Sequence, residues 1–198
     1  MIVYGESWVS ITNEALSRIG SSQIDSLSGA SIEVGFCNKL LPSAIRVIFG
    51  THNWNCAKAR TQLSPTTDIP TFGYDHYFQL PSNFSKVVEI SSIDYKIEGD
   101  RILADDDIIN MIYIFLPEDA TEINPPILRS ALVACLAYKL STPLSGSNSL
   151  ATQLYSEFSQ MVTEAKTQND ALAKVIEDDV SENTEEIFGY TPLWINER

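Results

Sequence analysis

Two residues capable of chemistry stand close together in the stretch Phe49–Arg60, FGTHNWNCAKAR: His52, one of two histidines, and Cys56, one of three cysteines. Four apart on a continuing helix, they would share a face, the arrangement of a thiol nucleophile with its base or of two metal ligands. No third ligand lies nearby in sequence, and the other histidine, His76, sits between Tyr74 and Tyr77 in a stretch of different texture. A zinc site would need distant residues to converge. Packing at a helix terminus around Trp54 is the simpler reading. The acidic run Asp105–Asp107 lacks the alternating oxygen ligands and central glycine of an EF-hand loop, and reads as a solvated hairpin turn. Acidic residues are too many for sequence to single out a carboxylate pair for glycoside hydrolysis. GxGxxG, Walker, HExxH and GxSxG patterns are absent, and the turn STPLSGSNS lacks the following lysine of a phosphate cradle. Its ordinary meaning is a helix-to-helix loop with an N-cap. No catalytic residue, metal or cofactor is expected, and the protein is expected not to be an enzyme.

The elements that must position these residues follow from hydrophobic period. From Glu6 to Ile19, Trp8, Val9, Ile11, Ala15, Leu16 and Ile19 recur at helical spacing, and Gly20 is placed to stop the helix. A Ser/Gly-rich loop leads to a second helical run through Phe36, Cys37, Leu40, Leu41, Ala44, Ile45, Ile48 and Phe49. Pro42 inside it removes a backbone donor and predicts a kink or a fresh start. After Arg60 come prolines and many β-branched and aromatic residues, with strands expected at 75–79, 84–91, 94–97, 101–104 and 110–115. Glu98–Asp100 reads as a tight turn. Helical texture returns at NPPILRSALVACLAYKL, with Asn124 as a cap and Pro125 or Pro126 in the first turn. A fourth helix is expected from about Ser149 to about Ile176.

The fold class predicted is α+β: a mostly helical bundle of about four helices (1–60 and 123–176), a β insertion between helices two and three (61–122), and an extended C-terminal arm (177–198). The arm opens acidic and ends with Phe188, Tyr190, Leu193 and Trp194. Those rings either fold back on their own bundle or dock onto a neighbouring subunit or partner.

Composition narrows the class. The chain has 198 residues, 44% of them apolar and 20% charged, enough for one core. Thirteen basic against 26 acidic residues leave a net charge of −13, which disfavours a broad phosphate-neutralising surface. Such a charge also suits a wall along which DNA slides without sticking. The spacing of Cys37, Cys56 and Cys135 implies reduced, mostly buried thiols and no disulfide framework. No run of about 20 apolar residues is expected to span a bilayer, and the N-terminus lacks signal-peptide character, so a cytoplasmic site of synthesis is expected.

The run CNKLLPSAIRVIFGTHNWNCAKARTQL resembles a recurring pattern of the head-to-tail adaptor proteins of short-tailed phages and prophages, often called tail tubular protein A. In that pattern a cysteine, a leucine or aromatic before proline, and an arginine precede a PWNFA-like element, then a basic residue and leucine. Cys37, Leu41, Pro42, Arg46, Trp54, Asn55, Ala57, Lys58, Arg60 and Leu63 fill those places, with Asn53 where proline is usual and Cys56 where phenylalanine is usual. EALSRIGSSQIDSL, YFQLPSNFSKVVEI, YKIEGDRILADDD, the run from Ile127 to Ala171 and PLWINER resemble further parts of the pattern in order, so the resemblance covers roughly the whole chain. It implies a structural virion protein: a homo-oligomeric ring, commonly of twelve, between the portal ring and the tail nozzle protein, assembled in the host cytoplasm. DNA passes through the lumen without sequence-specific binding, and no membrane is involved. Trp54, with Pro42 and Arg46, is expected as a structural anchor, and Phe188, Tyr190, Leu193 and Trp194 as a partner-binding latch. The rival expectation is a tail-associated carbohydrate-binding or polysaccharide-degrading protein.

Overall fold

A computed structural model describes residues 7–187, with side chains described as far as Leu172. Its order is two helices, six strands and two helices, an α+β fold.

Helix α1 (Trp8–Arg18) starts at Ser7, whose hydroxyl accepts the Ser10 N–H, and stops where Gly20 adopts φ +70°. That left-handed conformation lets the Ser21 N–H reach back to the Leu16 carbonyl. The following loop is clamped by Asn13, whose side chain both accepts from Ile24 N–H and donates to Ile24 C=O, each at 2.8 Å. Helix α2 (Ile32–Gly50) is capped by Ser31 and buries Val34, Cys37, Leu41, Ala44, Ile48 and Phe49 along one stripe.

Pro42 neither ends α2 nor begins a new helix. It is exposed, as is Arg46 one turn later. The stripe on the opposite side is buried, and that burial outweighs the one backbone bond lost on the wet side. The two residues therefore do not anchor the core; of the three expected anchors, only Trp54 is buried.

Past α2 the chain forms a short 3-10 turn, Asn55–Ala57, and then strand β1 (Lys58–Leu63), earlier than the expected boundary at 61. The other strands are β2 (His76–Gln79), β3 (Phe84–Ile90), β4 (Tyr95–Glu98), β5 (Arg101–Ala104) and β6 (Ile109–Phe115). They make two antiparallel three-stranded sheets, ordered β1-β6-β3 and β2-β5-β4. Between β4 and β5 the chain turns through Gly99, whose φ of +64° suits glycine.

Helix α3 (Pro126–Ser145) takes its first turn from Pro126, and Pro125, not Asn124, occupies the cap position. It passes between the other helices and buries Leu128, Ala131 to Ala137 and Leu140. Its length and a mean hydropathy of 1.2 would suffice to cross a membrane, but in this fold its apolar faces are the centre of the bundle. Gly146 ends it in the left-handed conformation, and the Ser147 hydroxyl accepts the Leu150 N–H to open helix α4 (Asn148–Ile187). This helix continues beyond the expected end at Ile176, through the first part of the segment read as an extended arm.

Two cores result. The larger unites all four helices with Trp54, Ala57 and Ile114. The smaller lies between the sheets around Phe78, Leu80, Ile102, Ala104, Ile109, Met111 and Tyr113. Strand β6 serves both, through Ile114 on one face and Met111 and Tyr113 on the other. A chain of charges braces the helices: Arg129 to Glu14 at 2.6 Å, Glu14 to Arg18 at 3.5 Å, and Arg18 to Glu157 at 2.6 Å.

Candidate functional site

The corner after α2 is where the residues with chemical potential gather, and the structure gives them separate tasks. Trp54 is fully buried, and its indole N–H donates at 2.8 Å to the Ile48 carbonyl, which the Thr51 N–H and hydroxyl also reach at the end of α2. His52 stacks edge-on against it, ring centroids 5.0 Å apart, and turns Nε2 to Asp170 Oδ1 of α4 at 2.7 Å. Cys56 takes another direction: its thiol meets the backbone of Asn124, and burial raises its pKa. The structure does not use the pair as nucleophile and base.

Asn169 is a residue that sequence reasoning missed. Only 3% exposed, it accepts the Asn55 N–H at 2.8 Å, receives the Asn55 side-chain amide on its own carbonyl at 3.0 Å, and donates to the Asn53 carbonyl at 3.2 Å. The loop between α2 and β1 is thus tied to α4 by a buried amide, where an unpaired polar group would be costly. Its partners are more than a hundred positions away, so no local pattern announces it.

The other two thiols are buried. Burial pushes Cys37 up to about 11, with Glu33 adding to it, and pushes Cys135 up to about 11 against the opposing pull of Lys139. Asp105–Asp107 are exposed, and Asp105 accepts the Asp75 N–H at 2.9 Å. Among the described residues, no three His, Cys, Asp or Glu side chains are arranged to hold a metal ion.

An open groove of about 790 Å³ is lined by residues of all three strands of the β1-β6-β3 sheet. Cross-strand register explains its lining: Arg60 and Glu89 flank Ile112, and Gln62 lies opposite Asn110, with an amide hydrogen bond of 3.1 Å between that last pair. Next to it, Lys58 and Lys86 flank Ile114. Lys86 donates to the Gly50 carbonyl at the end of α2 at 3.3 Å, and burial, then the charge of Lys166, lowers its pKa. The groove offers planar hydrogen-bonding groups over an apolar floor. It contains one carboxylate, Glu89, where glycoside hydrolysis uses two.

The expected latch residues, Phe188, Tyr190, Leu193 and Trp194, lie outside the described residues. No family model and no curated protein matches the chain.

Proposed function

We propose that this protein is a structural virion component, a head-to-tail adaptor whose subunits form a ring between the portal and the tail nozzle. The observation that carries the reading is the order of the resembling segments along the whole chain, set against where they fall in the fold. The run from Cys37 to Leu63 covers most of α2, the buried Trp54 corner and β1. The run from Ile127 to Ala171 covers the α3–α4 pair against which that corner is tied by Asn169. Of the signature residues, Trp54 and Asn55 are then the ones at the joint between insertion and bundle, as expected of a protein whose task is to hold two assemblies in register.

In this reading the ring, commonly of twelve copies, lines a passage for DNA, and the excess of acidic residues keeps the phosphate backbone from adhering. The segment from Phe188 to Trp194 latches onto the portal or a neighbouring copy. Native mass spectrometry of the purified chain, alone and mixed with the cognate portal ring, tests the proposal. Addition in a fixed multiple matching the ring is expected; a chain that never joins the portal overturns it.

One observation favours a second reading. The Gln62–Asn110 amide pair beside Ile112 and Arg60 is a surface on which a sugar could be hydrogen-bonded, so binding of host capsule polysaccharide is the alternative. Capsule binding that is lost on Asn110→Ala, without portal binding, would favour it.

A further inference from the structure

Three loops meet at one end of the β2-β5-β4 sheet, where the pairs His76–Ala104 and Tyr95–Ala104 end the ladders. The Tyr74 hydroxyl donates to Asp94 Oδ1 at 2.9 Å, and the Asp75 N–H donates to Asp105 Oδ1 at 2.9 Å. These bonds tie together the loops before β2, before β4 and after β5. Each loop presents a large apolar side chain to solvent: Phe72 is 86% exposed, Ile93 102% and Ile108 50%. Single exposed apolar residues are ordinary, but these three stand on loops that hydrogen bonds hold together, and Ile93 also lines the groove described above, an exposure that folding alone does not require.

The rim of this tip sets the sign of its partner. Asp75, Asp94 and Asp105 to Asp107 belong to the same three loops and are exposed, while Lys96 lies over the Tyr74 ring at 5.9 Å. So many carboxylates repel nucleic acid and anionic lipid surfaces, and equally the same tip of a second copy. They attract a protein surface that carries Lys or Arg around apolar sockets, which would bury the rings while the rims pair.

We infer that this tip is a docking surface for a basic-rimmed protein partner. The inference rests on the adaptor reading for the identity of that partner, the tail nozzle protein, and it assigns the nozzle contact to Phe72, Ile93 and Ile108.

The test uses the full chain with two variants, Phe72→Ser with Ile93→Ser, and Asp106→Lys with Asp107→Lys. All four side chains are exposed, so melting temperatures equal to that of the unsubstituted chain are expected. Binding is measured against purified nozzle protein, portal ring and phosphatidylcholine vesicles, at low and high salt. Each variant is expected to weaken nozzle binding roughly tenfold or more while leaving portal binding unchanged, and nozzle affinity is expected to fall as salt rises. Nozzle binding by both variants equal to that of the unsubstituted chain overturns the tip and leaves the adaptor reading standing. Binding to neither nozzle nor portal overturns both. Retention on the vesicles in place of nozzle binding, lost in the serine variant, overturns the protein partner in favour of a membrane.

Discussion

At the scale of single residues, the corner after α2 shows how a site with catalytic ingredients becomes a joint. Trp54 fills the corner and donates to the Ile48 carbonyl, which also accepts the Thr51 N–H and hydroxyl, so its truncation leaves chiefly a cavity. Trp54→Ala should cost about 3–5 kcal/mol and lower soluble yield; an unchanged melting temperature would refute its structural role. The thiols make a second expectation. Folding raises the pKa of Cys135 from 9.0 to about 11, so its contribution to stability is complete below pH 9. Between those values the unfolded chain ionises and the folded one does not, and stability is lost by about 1.4 kcal/mol per pH unit. Denaturant midpoints taken on either side of that window should therefore fall less steeply with pH in Cys135→Ala than in the unsubstituted chain; equal slopes would mean the thiol is not shielded. His52 and Trp54 stand out in the sequence by type alone. Asn169 does not, because one amide among many polar residues gains its meaning only when α4 returns past the corner.

At the scale of elements, legibility followed the range of the forces. Helices α1 to α3 are visible in the sequence because their buried stripes repeat every three or four residues, and five strands are visible because β-branched and aromatic residues cluster between turn formers. Strand β1 was hidden. Lys58–Leu63, KARTQL, has one β-branched residue and alternates exposed with half-buried positions, and its strand state comes from pairing with β6 nearly fifty residues later. The end of α4 was misjudged for another reason. Acidic residues read as a solvated tether, yet no glycine or proline interrupts the chain from Ile176 to Ile187, and nothing else in the backbone compels the helix to stop. Pro42 is the reverse case, a breaker overruled by packing. Because it is exposed in mid-helix, Pro42→Ala restores a backbone bond without disturbing the core and should stabilise the protein by about 1–3 kcal/mol, after allowing for the greater freedom of the unfolded chain. A lowered melting temperature would show that the proline shapes α2 in a way the neighbouring contacts require.

At the scale of the whole molecule, a net charge of −13 sets how the protein meets polyanions. Duplex DNA should not be retained by the purified chain on filters even at about 50 mM salt; retention would implicate Lys58, Arg60 and Lys86 of the β1-β6-β3 sheet as a phosphate contact and would remove the argument for a non-adhesive passage. The insertion of six strands between α2 and α3 also has a bearing on synthesis. The stripe of α2 from Val34 to Phe49 is buried largely against α3 and its neighbours, and the ribosome makes α3 only after the entire insertion. At about 5–20 residues per second, that stripe waits uncovered for several seconds, while the insertion already holds a complete core of its own around Phe78, Ile102 and Met111. The β part is therefore placed to fold first and the helices to close around it afterwards, which makes the nascent α2 the segment most in need of chaperone protection.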